Sequence, residues 1–145
     1  ADGSFVVVWM SNGSSGGDTS NWSIQGQRWA ADGTPQGAQF QVNTFTTGYQ
    51  TSPAVAMAAN GSFVVVWTQA DGANYGIAGQ RFAAGGSRVG AEFRANAGTA
   101  GNQVGSNIRM RDDGSFLVVW AENNAISGVD MGRKTSRFVV ERPAK

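Results

Sequence analysis

The heptapeptide Gly3-Ser4-Phe5-Val6-Val7-Val8-Trp9 recurs unchanged as Gly61-Ser62-Phe63-Val64-Val65-Val66-Trp67 and, with one substitution, as Gly114-Ser115-Phe116-Leu117-Val118-Val119-Trp120. Self-similarity of this kind constrains a fold more than composition does, because each copy must adopt the same structure and bury its apolar surface on a neighbour. The second heptapeptide follows the first by 58 positions, and the third follows the second by 53. Other landmarks keep the shorter spacing. Ile24-Gln25-Gly26-Gln27-Arg28 and Ile77-Ala78-Gly79-Gln80-Arg81 stand 53 apart, as do Phe40 and Phe93, Asn43 and Asn96, and Gln50 and Gln103. The period is therefore 53, and the first copy carries five extra residues between Met10 and Ser23.

Each unit predicts four strands. Pro53 to Met57, matched by Asn107 to Met110, is followed by Ser62 to Trp67 across an Asn-Gly turn of the kind that closes tight hairpins. The third runs from about Tyr75 to Phe82 and the fourth from Ala91 to Ala95. The Phe-Val-Val-Val-Trp run is β-branched, short and bounded by glycine, which disfavours a helix. Its unbroken apolarity predicts burial on both faces. With 21 Gly, 5 Trp and only 14% charged residues in 145, the chain also lacks the charge-rich, aromatic-poor composition of disorder. The expected fold is all-β, with about three four-stranded antiparallel blades. That describes a partial β-propeller, or a propeller completed by oligomerisation. Its domain is a single one over 1–145, with repeats at about 1–58, 59–111 and 112–145. The small side chains of Pro53 to Met57 suit the innermost position, and the polar stretch from Asn43 to Gln50 would cross between blades.

These motifs resemble the Gly-Ser-Phe-Val-Val-Val-Trp and Gly-Gln-Arg-Phe repeats of large bacterial surface and secreted proteins, over residues 1 to about 120. The resemblance implies a secreted or cell-surface array. The last 25 residues depart from it: Gly132 falls in frame, but Asp130 stands where isoleucine is expected. Fewer than three full copies cannot close a ring. The first copy lacks its own inner strand, and the stretch Phe138 to Glu141 is expected to fill that place beside Ser4 to Trp9, from the same chain or a neighbour. Two chains of three blades would then close a six-bladed ring. A homo-oligomer, or the remainder of a larger repeat protein, is the expected partner; the alternative is a fragment of a longer array.

The chemistry available is narrow. With no His and no Cys, the usual general base and thiolate ligands are missing. The carboxylates lie mostly at turns, where Asp caps the local backbone. No enzyme, metal or cofactor is expected on these grounds. The loop from Asp71 to Gly76 offers oxygen ligands that calcium could use, but it lacks the further carboxylates of a calcium loop and reads as a plain turn. A net charge of +1 gives no pull toward nucleic acid, and no apolar run approaches the roughly 18 residues of a membrane helix.

Binding has a better case. The five extra residues lengthen the loop from Met10 to Trp22, and loops are where repeat scaffolds place recognition. Trp22 beside Asp18 and Asn21 would present an aromatic face flanked by hydrogen-bonding groups, which suits a sugar ring. Asn74 and Tyr75 hold the equivalent place one repeat on. The other reading is that Trp22 and Tyr75 pack at strand starts. Trp9, Trp67 and Trp120 share one repeat position and read as core. The recurring Gln27-Arg28 and Gln80-Arg81 suggest contacts between blades, or an anion site. The expected function is a secreted, non-catalytic binding module, lectin-like and directed at a glycan ligand; the alternative is a structural or adhesive segment of a larger bacterial surface protein.

Overall fold

The Asp-Gly or Asn-Gly turn at the head of each copy does the same work three times. Asn60 Oδ1 accepts hydrogen bonds from the Ser62 backbone at 3.0 Å and its hydroxyl at 2.7 Å. Asp2 does the same for Ser4, and Asp113 Oδ1 accepts from the Ser115 N–H at 2.9 Å. Between them, Gly61 sits at a φ of 83°, a left-handed conformation that costs glycine nothing. Asp32 and Thr34 build the same turn around Gly33. The Ser4 hydroxyl and then its N–H hold the Asp2 carboxyl below its usual range, and at Asp32 the Thr34 N–H and then its hydroxyl do so.

These turns join strands into three antiparallel sheets in the computed structural model of the chain. It describes residues 2–12, 16–18, 21–72, 74–98 and 100–122, and by backbone alone 125–130 and 137–141. The first sheet runs β1 (Phe5–Asn12), β2 (Trp22–Trp29), β3 (Phe40–Gln41). The second runs β4 (Gln50–Met57), β5 (Phe63–Asp71), β6 (Asn74–Phe82), β7 (Arg88–Arg94). The third contains β8 (Gln103–Met110), β9 (Phe116–Glu122), β10 (Ala125–Asp130) and β11 (Arg137–Glu141) in that spatial order. No helix occurs among the described residues. The chain is therefore all-β, as its residues predict, but among the described residues the first sheet has three strands rather than four and the sheets do not close into a ring.

The expectation for Phe138 to Glu141 is corrected. β11 pairs with β10, from Ala125 opposite Glu141 to Val129 opposite Arg137, and completes the third sheet. It takes the outer position that β7 holds in the second sheet, so it is the next strand in repeat order rather than a return to β1.

Packing follows from the two faces of the repeated strand. Phe63, Val65 and Trp67 point toward the first sheet and join Ile24, Val42, Phe40, Val6 and Val8 in one apolar cluster. Val64 and Val66 point the other way, with Ile77, Phe93 and Ala95, and meet Phe116, Val118 and Trp120 of the third sheet. The two clusters are the same positions displaced by one repeat. Trp67 and Trp120 are core, at 0% and 3% exposure. The prediction of burial on both faces is met at β5, where every residue from Phe63 to Thr68 is buried. It fails at β1, whose Phe5 and Val7 are each 43% exposed although the residues are identical. No sheet lies on that side of β1 among the described residues.

The Gln-Arg pairs divide their labour. Gln27 and Gln80 bond within their own sheets, to the carbonyls of Arg28 and Gly37 and of Arg81 and Gly90. The arginines reach between sheets. Arg28 Nη1 donates to the Ala84 carbonyl at 2.7 Å, and the Arg81 guanidinium lies 4.7 Å from the Phe93 ring centroid and 5.1 Å from that of Phe116.

Candidate functional site

Antiparallel pairing brings Gln50, Gln69 and Gly76 side by side, so the ends of β4, β5 and β6 lie together at one edge of the second sheet. The linkers between sheets arrive at the same edge, held by a buried amide pair that recurs with the repeat. Asn43 Oδ1 accepts from the Ile24 N–H at 2.8 Å, while its Nδ2 donates to the Phe45 carbonyl at 2.9 Å and to Gln50 Oε1 at 3.3 Å. One repeat later, Asn96 Oδ1 accepts from the Ile77 N–H at 2.8 Å and its Nδ2 donates to the Gly98 carbonyl and to Gln103 Oε1. Each asparagine satisfies a strand donor and turns the chain toward the next sheet.

Against this frame the loop residues singled out from the sequence separate. Asp18 is buried, at 2% exposure, and its Oδ2 accepts from Asn43 Nδ2 at 3.0 Å. Its carboxylate ties the long first loop to the linker latch. Asn21 and Trp22 are half-buried at the start of β2, with Trp22 opposite Asn12. Asn74 is half-buried and pairs with Asp71 across the β5–β6 turn. Tyr75 is 36% exposed, and its N–H donates to Asn102 Oδ1 at 3.2 Å. The five residues therefore sit on one loop face but on two sheets, as the repeat requires.

Tyr75 has neighbours that the repeat pattern did not single out. Together with Tyr49, Thr51, Ser52, Thr68 and Val104 it lines a hollow of about 220 Å³ between the second and third sheets. Tyr49 is 45% exposed. Ser52 is held at a φ of 53°, the left-handed region that non-glycine residues avoid at a cost of about 1–2 kcal/mol. It lies in an irregularity where the β4–β5 register shifts between Thr51 and Ala54. The third sheet has the same shift between Val104 and Asn107, with Gly105 at a φ of 66°. A serine thus occupies, in the hollow, the strained position that glycine fills one repeat later. That exchange, and the aromatic at 49 where the next copy has Asn102, were the available sequence signals. They were hidden because they break the repeat instead of conforming to it.

A second hollow, of about 170 Å³, contains Asp71, Glu92 and Arg94. Two carboxylates are the residue class that glycoside cleavage uses, but both are bound here. Arg94 forms an ion pair with Asp71. Glu92 Oε2 accepts from the Thr44 N–H at 2.8 Å and hydroxyl at 2.9 Å, fastening β7 to the linker. A cation entering the Asp71 loop would have to displace the guanidinium. Among the described residues, no cluster of three or more potential metal ligands is found.

No family model matches the chain, and no curated protein does. A solved structure to which it is similar is the endo-arabinase from Bacteroides thetaiotaomicron VPI-5482, with a TM-score of 0.41 and 16% identity, covering 86% of this chain and 47% of that one. The chain spans about half the length of the structure it matches. The expectation that this chain is not an enzyme is corrected by that match. The matched structure is itself an enzyme. At that distance the likeness assigns no activity either.

Proposed function

We propose that the loop face binds a carbohydrate ring in the hollow between Tyr49 and Tyr75. The observation that carries this reading is the joint presence of two exposed tyrosines and the hydroxyl-bearing Thr51, Ser52 and Thr68 around one concavity. An aromatic face accepts the apolar face of a sugar, and nearby hydroxyls answer its ring hydroxyls. At about 220 Å³ the hollow is smaller than the roughly 300–1,000 Å³ of drug-sized sites, which fits a single ring or a chain end. The left-handed Ser52 adds support, since strained backbone gathers at ligand sites. In this reading the three sheets are blades of a propeller-type array, secreted or displayed at a bacterial cell surface.

A glycan array followed by calorimetry tests the proposal. A retained glycan should lose about tenfold or more in affinity on Tyr75→Ala or Tyr49→Ala, a loss of roughly 1.4 kcal/mol, with the circular dichroism unchanged because both side chains are exposed. Ser52→Gly should raise Tm by relieving strain while weakening binding. Loss of binding in Trp22→Ala but in neither tyrosine variant would move the site to the first loop and overturn this location. Retention of no glycan would overturn the reading itself.

A further inference from the structure

Side chains two apart on a strand share a face, and this sets what stands at the loop end of each junction between sheets. Ile77 packs in the cluster toward the third sheet, so Tyr75, two residues earlier on β6, is directed to the same side. Ile24 packs in the cluster toward the second sheet, so Trp22, two residues earlier on β2, is directed to that side. Trp22 therefore holds, between the first and second sheets, the place that Tyr75 holds between the second and third.

The two places meet at Tyr49. The Tyr75 N–H donates to Asn102 Oδ1 at 3.2 Å, so the start of β6 lies beside the residue that precedes β8. Tyr49 is the counterpart of Asn102 one repeat earlier, and β2 packs against β4 as β6 packs against β8. Tyr49 thus stands by the Trp22 end of β2 and also lines the hollow with Tyr75. One repeat on, both tyrosines are replaced, Tyr49 by Asn102 and Tyr75 by Gly128. The aromatic positions run Trp22, Tyr49, Tyr75, and the row stops at the hollow.

Sheets packed face to face stand about 10 Å apart. One sugar ring seated in the hollow does not reach from Tyr75 to Trp22, whereas a linked chain does. We infer that the hollow takes the end of a linear glycan whose chain continues past Tyr49 to Trp22, across the loop edges of the second and first sheets. This rests on the carbohydrate reading of the hollow and narrows the ligand to an oligosaccharide end rather than a monosaccharide. The apolar faces of successive rings lie on the aromatic side chains, and Asn21, next to Trp22, offers an amide to their hydroxyls.

Titration calorimetry of the whole chain tests this with cello-, xylo-, manno- and arabino-oligosaccharides, each from mono- to hexasaccharide. In a series that binds, the hexasaccharide should bind about tenfold or more tighter than the disaccharide. Trp22→Ala should remove that gain and leave the disaccharide unchanged, and Tyr75→Ala should weaken both. Trp22→Phe should keep most of the gain, which separates a lost contact from a lost fold, and circular dichroism checks each variant. Blocking both termini of the hexasaccharide with a bulky group should also cost about tenfold or more. Equal affinity for the two lengths, a gain that survives Trp22→Ala, or undiminished binding of the blocked chain would overturn the inference while the hollow reading stands. Binding of no series, or binding that Tyr75→Ala leaves intact, would overturn that reading and this inference with it.

Discussion

Gly26 and Gly79 stand opposite Phe40 and Phe93 across the strand pair, and each ring lies over its glycine. A Cβ at Gly26 would come within 2.8 Å of the Phe40 ring, and one at Gly79 within 2.5 Å of the Phe93 ring. The ring takes the place of the missing side chain, and the Arg81 guanidinium lies over that of Phe93. Gly79→Ala should therefore cost about 1–3 kcal/mol by overpacking. Denaturant unfolding should show part of that cost recovered in the double variant Gly79→Ala with Phe93→Leu, because residues in contact are not additive. The recurrence of Gly-Gln-Arg was plain in the sequence. Its cause was not, since the ring that demands the glycine comes 14 residues later and only strand pairing shows that they meet.

At the scale of elements, the linker latch decides how one sheet hands the chain to the next. Asn96 is 4% exposed and Gln103 fully buried. Asn96→Ala would leave the Ile77 N–H and the Gln103 carbonyl oxygen without their bonds to this side chain, at a cost of about 1–3 kcal/mol. Thermal unfolding of the variant checks this. Asn43→Ala should be at least as costly, since Asp18 also loses a partner. The seven-residue step from Asn43 to Gln50 and from Asn96 to Gln103 was visible in the sequence. So were the strands, whose β-branched runs and turn residues settle them locally. Position within the stack was not legible: β1 and β5 share Phe-Val-Val-Val-Trp, yet one is an edge and the other interior. The hollow escaped for a related reason, because Tyr49 and Ser52 belong to one repeat and Val104 to the next, and only the packing of the sheets brings them together.

For the molecule as a whole, stability is concentrated in the middle. The second sheet has an apolar cluster on each face, whereas the first is covered on one side only among the described residues. Local opening follows buried contact. Hydrogen exchange should find the slowest amides in β5 and β6 and faster ones in β1, despite the matching sequence; equal protection in β1 and β5 would contradict this. The two faces of the repeated strand also differ in kind, aromatic with tryptophan on one and valine on the other. A unit can then follow its predecessor in only one orientation, valine side to aromatic side. The stack has a direction, like a column of nested cups: turning one unit over would set rings against rings and leave valines facing across a gap. Lengthening such a column needs no new contact, and its two ends can never substitute for one another.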